Sequence, residues 1–286
     1  MSEALKIGVI GGNGWLGGAI TQSILDAKLT SPKDLTLSYR SERPTRFQDS
    51  YWTRDNQELA DRSDVIIVSV RPADWPSLGI TVNGKLIISV MAGITLGQLA
   101  EQLKTERVVR SLPNAAAEVG KSYTPWVAST QVTDRDRSIV RRIFEACGST
   151  DEVTSEADID YLTGLSGSGP AFPALLADAM MKDAAEHGIP SEIAQRAVTA
   201  VLVGAGRLLE RRKECPADTV ETFVGYRGTT AAAIEAMRAG GFDAAVAAGL
   251  AAALKKSVRM GDYRRSGQRG PLLFYERPQR KRGNVS

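Results

Sequence analysis

The chain has 286 residues, 43% of them hydrophobic and 24% charged, and a formal net charge of +3 at pH 7. This composition is typical of a soluble protein with one large domain or two ordinary ones. The longest apolar run, 244–254, falls short of the roughly 20 residues that a membrane span requires, which predicts a buried helix and no membrane partner.

Cysteine usage indicates a reducing compartment. Cys147 and Cys215 lie far apart and outside any Cys-x-x-Cys or Cys/His cluster, which argues against a disulfide framework and against a zinc site. No basic-then-apolar leader precedes Leu5, so a secretory signal is not expected. We therefore expect a cytoplasmic protein without a metal centre.

The first half of the chain predicts a Rossmann domain. From Leu5 to about Asp151, short β-branched runs that are apolar almost throughout alternate with amphipathic segments, as expected for strands covered on both faces. The predicted strands are 5–10, 35–39, 65–70, 86–91 and 107–112, and the helical patterns between them include 15–27 and 96–103. Such alternation indicates an α/β fold with a doubly wound, mostly parallel sheet, which we assign to residues 1–161.

The second half, residues 162–262, predicts only helices. The helical patterns are 170–188, 191–212, 217–223, 229–240 and 242–260. Their many alanine faces require close helix packing, and the chain offers no obvious layer to cover them. We therefore expect an all-α dimerisation domain that a second copy of the chain covers, giving a homodimer.

The C-terminal residues 263–286 predict a basic, solvated tail, because seven Lys/Arg stand there against a single acid. A globular nucleic-acid binder concentrates its basic residues on a folded face. Nucleic acid is therefore not an expected partner.

A glycine-rich turn follows the first predicted strand and opens a helix. Gly12, Gly14 and Gly17 form a Gly-x-Gly-x-x-Gly pattern there, which permits a tight turn, close approach of a pyrophosphate and close helix–strand packing. The helix N-terminus presents free N–H groups to the phosphates. The pattern predicts dinucleotide binding, with an ordinary strand-to-helix turn as the alternative.

The end of the second predicted strand favours NADPH over NADH. An NAD-binding protein usually places Asp or Glu there to hold the ribose hydroxyls, whereas this chain has Arg40, Ser41 and Arg43. Guanidinium groups and a hydroxyl suit a 2′-phosphate. The alternative is that these arginines are only solvated, since Glu42 stands among them.

The chain lacks an obvious acid–base residue for carbonyl reduction. Hydride transfer to a carbonyl needs a positioned proton donor, but the only histidine, His187, stands at a predicted helix C-terminus. The Lys-plus-Asn pattern of the β-hydroxyacid dehydrogenases is missing too, because the only asparagine after Asn114 is Asn284. A protonated C=N bond already carries its proton and requires mainly alignment and charge stabilisation. The sequence thus favours imine reduction, although tyrosines and carboxylates remain available as donors.

Four motifs, in order, resemble those of pyrroline-5-carboxylate reductases, the last enzymes of proline biosynthesis. Residues 162–172 read LTGLSGSGPAF where the family has VTALSGSGPAY, and residues 63–73 read SDVIIVSVRPA where it has ADVVILAVKPQ. Residues 88–94 read ISVMAGI in place of ISIAAGI, and 110–117 read RSLPNAAA in place of RVMPNTPA. The resemblance implies an oxidoreductase acting on CH–NH groups that uses NADPH to reduce 1-pyrroline-5-carboxylate to L-proline, as a homodimer or a higher oligomer.

The resemblance, which runs from about Lys6 to Met260, also implies roles for individual residues. Glu156 matches an acid near the substrate and is implied to act with Thr230 in catalysis, while Ser166, Gly167 and Ser168 form a tight turn under the substrate ring. The implied cofactor-binding residues are Gly12, Gly14, Trp15 and Leu16 at the pyrophosphate, Arg40, Ser41 and Asn56 at the adenosine phosphate, and Val70, Arg71, Pro72, Ala92 and Gly93 towards the nicotinamide. The glycine turn is one residue longer than the family's usual Gly-Ala-Gly-Asn-Met.

Residues 223–230 depart from the family in the turn that holds the substrate carboxylate. They read FVGYRGTT in place of VTSPGGTT, so that Gly225, Tyr226 and Arg227 replace a serine, a proline and a glycine. Gly228, Thr229 and Thr230 are retained, and the last threonine is implied to hydrogen-bond the ring nitrogen. Arg227 offers either a bidentate grip on the carboxylate or a contact with solvent or a partner subunit, and Tyr226 either donates a proton or packs.

The Thr-Pro that follows Pro-Asn in the family is also replaced here, by Ala115 and Ala116. These departures leave two alternatives to reduction of pyrroline-5-carboxylate. One is a paralogue that reduces another cyclic imine carboxylate, and the other is a non-catalytic NADP(H)-binding regulator.

Overall fold

Eight strands form one sheet in the computed structural model, which describes residues 5–212 and 214–261. The strands are β1 Ile7–Ile10, β2 Leu35–Ser38, β3 Tyr51–Thr53, β4 Val65–Val68, β5 Leu86–Ser89, β6 Val108–Ser111, β7 Ser122–Ala128 and β8 Gly148–Glu152. Their order in the sheet is β3-β2-β1-β4-β5-β6-β7-β8, and every neighbouring pair is parallel except β6 and β7. The predicted α/β fold with a doubly wound, mostly parallel sheet is confirmed.

Helices cover both faces of the sheet. They are α1 Trp15–Asp26, α2 Asn56–Asp61, α3 Leu96–Leu103 and α4 Asp134–Cys147. All residues of β1, β2, β4, β5 and β6 are buried, which explains their nearly continuous apolar sequences. The strand order reverses between β1 and β4, so the carboxyl ends of these strands meet at the switch point where α/β sheets bind ligands.

Three strands were not predicted from the sequence. β3 is only three residues long and lies at one edge. β8 lies at the other edge, where its polar sequence GSTDE is partly exposed. β7 contains Pro125, which lacks an N–H donor, and it is the strand that pairs antiparallel with β6. The edge positions of β3 and β8 tolerate short or polar strands because they need fewer ladder hydrogen bonds and less apolar cover. β7 lies inside the sheet, between β6 and β8.

The second half is helical throughout the described residues. The helices are α5 Glu156–Leu162, α6 Ala171–Glu186, α7 Ser191–Arg212, α8 Pro216–Gly225, α9 Thr229–Ala239 and α10 Phe242–Gly261, with a π-helical turn at Thr163–Gly167. α6 packs on α7 and α8 on α9, while α10 lies against α5 and the π-helical turn. The predicted all-α segment is therefore confirmed. Its proposed start at residue 162 falls within α5, and that boundary stays a prediction.

Much of the apolar surface of these helices is open in the single chain. α6 and α8 contain no buried residue, and Leu175 and Val203 are 70% and 59% exposed. Open apolar surface of this extent is typical of protein–protein interfaces. The tail predicted at 263–286 lies outside the described residues.

The two cysteines lie in different environments. Cys147 is buried and Cys215 exposed, and both are free thiols. Burial raises the pKa of the Cys147 thiol.

Within the described residues, no single helix is long and apolar enough to cross a bilayer. Helices α9 and α10, which are bent by 52° at their junction, have the required length and composition only as a pair.

Candidate active site

The turn between β1 and α1 is built from glycines that cannot be replaced without moving the backbone. Gly11 has φ +81°, and a Cβ on it would lie 2.3 Å from the Ser69 carbonyl oxygen. A Cβ on Gly17 would lie 2.4 Å from the carbonyl oxygen of Gly11. The sequence motif comprises Gly12, Gly14 and Gly17, and the structure adds Gly11 as the glycine in the left-handed region.

The N-terminus of α1 has the properties of an anion-binding site, namely free backbone donors and no nearby acid in its first turn. Gly14 is the N-cap and supplies no side-chain hydrogen bond, and the first turn of α1 contains no acid. The first N–H groups of a helix have no partner within it, so Trp15 and Leu16 present backbone donors there. The Trp15 side chain turns away and donates from Nε1 to the Glu118 carboxylate, while the Leu16 side chain packs on the core. Both residues can therefore serve a pyrophosphate through their backbone alone.

The residues predicted for the adenosine phosphate lie at the carboxyl end of β2 and the start of α2. Arg40, Ser41 and Arg43 are exposed after β2, and Asn56, the first residue of α2, is half-buried. Arg40 Nη1 lies 3.4 Å from Asp74 Oδ2, which also accepts from Arg71 Nε at 2.9 Å. Asp74, which sequence analysis missed, thus links a predicted phosphate-binding arginine to a predicted nicotinamide-side arginine.

A second acid, Glu58, lies close to the adenosine end. Hydrogen bonds from Thr53 and Tyr51 hold the pKa of Glu58 below its usual value, and the bond to Glu58 raises the pKa of Tyr51. Glu58 is therefore a fixed negative charge two residues beyond Asn56. A 2′-phosphate at this end needs the nearby guanidinium groups to offset that charge.

The residues predicted for the nicotinamide side follow β4 and β5. Val70, Arg71 and Pro72 come after the buried end of β4, and Ala92 and Gly93 come after β5. Because these strands are parallel neighbours, the two segments meet at the same edge of the sheet as the glycine turn. Gly93 has φ +77°, the left-handed conformation that explains glycine at this position.

Glu156 takes part in an ionic cluster around the buried side chain of Arg110. Its Oε1 accepts from Leu96 N at 2.9 Å and from Arg110 Nη1 at 3.1 Å. Arg110, whose side chain is 2% exposed, also donates from Nη2 to Asp160 Oδ1 at 2.6 Å, and Ser257 Oγ donates to the same oxygen at 3.0 Å. The cluster ties β6 and α3 to α5 and α10. The implied catalytic role of Glu156 stays a prediction, and the structure shows this carboxylate occupied by Arg110.

The Ser-Gly-Ser-Gly-Pro block forms the π-helical turn and the start of α6, against the end of β6. Asn114 Nδ2 donates to Ser166 O at 3.0 Å, and a Cβ on Gly167 would lie 2.6 Å from a methyl carbon of Leu112. Ser166 Oγ and Ser168 Oγ donate to the carbonyls of Leu162 and Thr163 at 2.9 and 3.2 Å. Their hydroxyls therefore brace the turn, and a substrate must meet them as acceptors or through the backbone.

The predicted substrate turn joins α8 to α9. Arg227 has φ +53°, Gly228 is the N-cap of α9 without a side-chain cap, and Thr229 and Thr230 open the helix with no acid in its first turn. These features make the α9 N-terminus receptive to a carboxylate. Tyr226 is 78% exposed, so it does not pack within this chain.

The structure brings some predicted site residues together and leaves others apart. The glycine turn and the residues after β4 and β5 share one sheet edge, and Asn114 joins the π-helical turn to the end of β6. The 225–230 turn is held by Arg227 N to Val224 O and Ala232 N to Gly228 O. Across 5–212 and 214–261, the structure shows no hydrogen bond between this turn and the glycine turn. In the same ranges, no group of three His, Cys, Asp or Glu side chains could hold a metal ion.

Comparison with known proteins finds relatives that match most of the chain. The family model described as pyrroline-5-carboxylate reductase dimerisation matches residues 156–260, and the model described as NADP oxidoreductase coenzyme F420-dependent matches residues 6–93. A pyrroline-5-carboxylate reductase of Synechocystis sp. is 30% identical over 266 residues, covering 90% of this chain and 99% of the relative. One of Thermus thermophilus is 29% identical, covering 88% and 97%.

Solved structures give the same result. The pyrroline carboxylate reductase of Plasmodium falciparum, determined with NADP bound, superposes with a TM-score of 0.80 at 26% identity and covers 91% of this chain and 99% of its own. The enzyme of Streptococcus pyogenes superposes with a TM-score of 0.77 at 27% identity, covering 90% and 100%. On these likenesses, together with the geometry of the site, the chain belongs to the pyrroline-5-carboxylate reductase family.

Proposed function

We propose that this protein is a cytoplasmic homodimeric reductase that converts 1-pyrroline-5-carboxylate to L-proline with NADPH. The observation that carries the proposal is that two helix N-termini are suited to binding anions. One is the start of α1, which follows the glycine turn, and the other is the start of α9, at Gly228, Thr229 and Thr230. The first suits a pyrophosphate and the second a small carboxylate. The family's reaction requires both of these ligands.

The glycine turn fits the dinucleotide because its backbone is too tightly packed for side chains at Gly11 and Gly17. This tight turn leaves the N–H groups at the start of α1 open to a pyrophosphate. NADPH, when bound, supplies the hydride that the carbon of a protonated C=N bond accepts. The protein's own residues then hold the substrate: the α9 N–H groups receive the carboxylate, and the Thr230 hydroxyl holds the ring nitrogen. The π-helical turn supports the ring, so that cofactor and substrate are aligned for transfer.

The open helical surface supports the proposed homodimer. Leu175 and Val203 are among many half-exposed apolar side chains on α6 and α7, and a second copy of the chain is their natural cover. The proposed site then combines the sheet edge of one subunit with the 223–230 turn of its partner. In its support, the described part of the chain shows no hydrogen bond between that turn and the glycine turn of the same subunit.

A paralogue that reduces a different cyclic imine carboxylate is the second candidate. Gly225, Tyr226 and Arg227 alter the carboxylate turn, and this change favours an altered ring or carboxylate position. The third candidate, a non-catalytic NADP(H)-binding regulator, is less well supported because the π-helical turn and Thr230 are retained. Its suggested contact, the basic tail, lies outside the described residues.

One assay separates the three candidates. Purified protein with NADPH is offered pyrroline-5-carboxylate, pyrroline-2-carboxylate and piperideine carboxylates, and the fall in NADPH absorbance is followed. We expect the fastest turnover with pyrroline-5-carboxylate. Preference for another ring supports the paralogue, and NADPH binding without any turnover supports the regulator.

Arg227 gives a prediction in which affinity and stability change in opposite directions. We expect Arg227→Ala to raise KM for the imine carboxylate at least tenfold, because a guanidinium bond to a carboxylate contributes about 1.5–3 kcal/mol. Arg227→Gly should raise KM equally while increasing the free energy of unfolding by about 1 kcal/mol, since glycine relieves the strain at φ +53°. Steady-state kinetics and urea denaturation measure the two effects. An unchanged KM in Arg227→Ala shows that the guanidinium points elsewhere.

A further inference from the structure

Arg46, which the motifs did not single out, lies against the glycine turn. Its Nη2 donates to the carbonyl oxygens of Gly12 at 3.0 Å and Gly14 at 3.1 Å. Gly14 is the N-cap of α1. One guanidinium nitrogen therefore holds two carbonyls on either side of Asn13.

The second glycine of the Gly17–Gly18 pair makes room for this contact. A Cβ on Gly18 would lie 2.3 Å from both terminal nitrogens of Arg46. The two glycines differ: a Cβ on Gly17 would meet the backbone carbonyl of Gly11, whereas a Cβ on Gly18 would meet the end of the Arg46 side chain and push it away. The interior of a helix favours alanine over glycine by about 1 kcal/mol, so glycine at position 18 agrees with retention of the Arg46 contact.

The loop that carries Arg46 is fixed by its own contacts. Trp52, which is 7% exposed, donates from Nε1 to the carbonyls of Arg46 and Phe47 at 3.2 Å each. Phe47 has φ +53°, a strained conformation for an aromatic residue, and its side chain packs on the core under the sheet. Ser50 N donates to the Phe47 carbonyl at 3.0 Å. The backbone on which Arg46 stands is therefore firmly placed.

The geometry of the peptide bonds links the Arg46 contact to the N–H groups of the glycine turn. Each peptide here is trans and planar, so a carbonyl and the following N–H point in opposite directions. Holding the Gly12 and Gly14 carbonyls fixes the N–H groups of Asn13 and Trp15. We infer that Arg46 is a positioning residue, which aims these two N–H donors at the dinucleotide pyrophosphate from the side of the turn away from the ligand. The inference rests on the proposed use of a dinucleotide.

This role differs from that of a 2′-phosphate ligand. A pyrophosphate is common to NADPH and NADH, so loss of the contact should weaken both cofactors by the same factor. Arg40 and Arg43, predicted to meet the 2′-phosphate, should instead affect NADPH alone. The ratio of the two affinities therefore distinguishes Arg46 from the arginines after β2.

The test measures Kd for NADPH and NADH by fluorescence titration, together with KM and kcat. We expect Arg46→Met and Gly18→Ala each to raise both Kd values about tenfold, with kcat at saturating cofactor within about twofold of wild type. The double variant should match either single one, because both changes break the same contact. Arg46→Lys should recover part of the affinity. Arg141→Met, which removes the same charge from the exposed face of α4, is the matched control and should behave as wild type.

Three results overturn the inference: unchanged Kd values in folded Arg46→Met, a loss confined to NADPH, or additive effects in the double variant. Thermal unfolding of each variant shows whether it is folded, and Gly18→Ala gives an independent route if Arg46→Met fails to fold. The wild type is measured first. Absence of dinucleotide binding or of imine turnover in the wild type refutes the proposed function, whereas normal wild-type behaviour with unaffected variants refutes only the role of Arg46.

Discussion

Replacing Gly17 with alanine is expected to raise Kd for NADPH by more than about 100-fold, since misplacing a binding group by about 1 Å can cost this much. The added Cβ would lie 2.4 Å from the Gly11 carbonyl oxygen, so α1 and the glycine turn must move apart. The donors that face the pyrophosphate move with them. Isothermal titration with NADPH measures the effect.

Gly97→Ala is the matched control for Gly17→Ala. Gly97 also lies in the first turn of a helix, α3, and a Cβ there meets nothing within 4 Å. We expect this variant to keep its NADPH affinity and to be slightly more stable, because alanine favours helix. If Gly17→Ala binds NADPH within about threefold of wild type, the glycine turn does not hold the pyrophosphate.

Replacing Arg110 with methionine is expected to lower the free energy of unfolding by about 2–3 kcal/mol, less than for a fully buried pair because the carboxylates left behind are partly exposed. The Arg110 side chain is 2% exposed and pairs with Glu156 and Asp160, which lose their shared partner in the variant. The cluster joins β6 to α5 and, through Ser257, to α10. Urea denaturation at one fixed protein concentration measures the loss, because the stability of a dimer depends on concentration.

Arg137→Met provides the comparison for Arg110→Met. Arg137 pairs with Glu152 at 2.9 Å, and both side chains are more than a quarter exposed. We expect its removal to lower stability by no more than about 1 kcal/mol, as for other partly solvated pairs. Equal losses of stability in the two variants would show that burial of the Arg110 cluster adds nothing to its contribution.

The sheet could be predicted wherever its strands are buried on both faces. The apolar runs of β1, β2, β4, β5 and β6 indicated their positions to within two residues, since such strands need continuous apolar sequence. The edge strands β3 and β8 carry no such pattern. β7 was not predicted because it contains Pro125, and proline is unusual within a strand. The antiparallel pairing of β7 with β6 is visible only in the fold.

The candidate site could be predicted where a local motif specifies it. Gly12, Gly14 and Gly17 follow from their spacing after a strand, and the helix N-terminus at Thr229 follows from the glycine before it. Arg46 and Arg110 could not be found in this way, because their partners lie far away in the chain. Asp74 has a near partner in Arg71, but its link to Arg40 likewise depends on the fold. One signal was present for Arg110: a charged residue within the apolar run 107–112 must be paired if that strand is buried.

The departures in the substrate turn are only partly explained by local structure. Arg227 occupies a left-handed position where the resembled family motif has glycine, so this chain accepts strain that glycine would avoid. Strain of this kind tends to persist at functional sites, which agrees with a role for the guanidinium at the carboxylate. Arg227→Ala tests whether the guanidinium meets the substrate in the proposed dimer.

The most direct test of the account uses mixed dimers of two variants, assayed at NADPH near the wild-type Kd. Gly17→Ala is expected to lose activity there through weak NADPH binding, and Thr230→Ala through loss of the bond to the ring nitrogen. If each site combines the sheet edge of one subunit with the 223–230 turn of the other, a mixed dimer has one site with both elements intact. Random mixing should then restore about a quarter of wild-type activity, because half of the dimers are mixed and one of their two sites works. If the mixture shows no more activity than the mean of the two separate variants, both elements act within one subunit and the shared site is wrong.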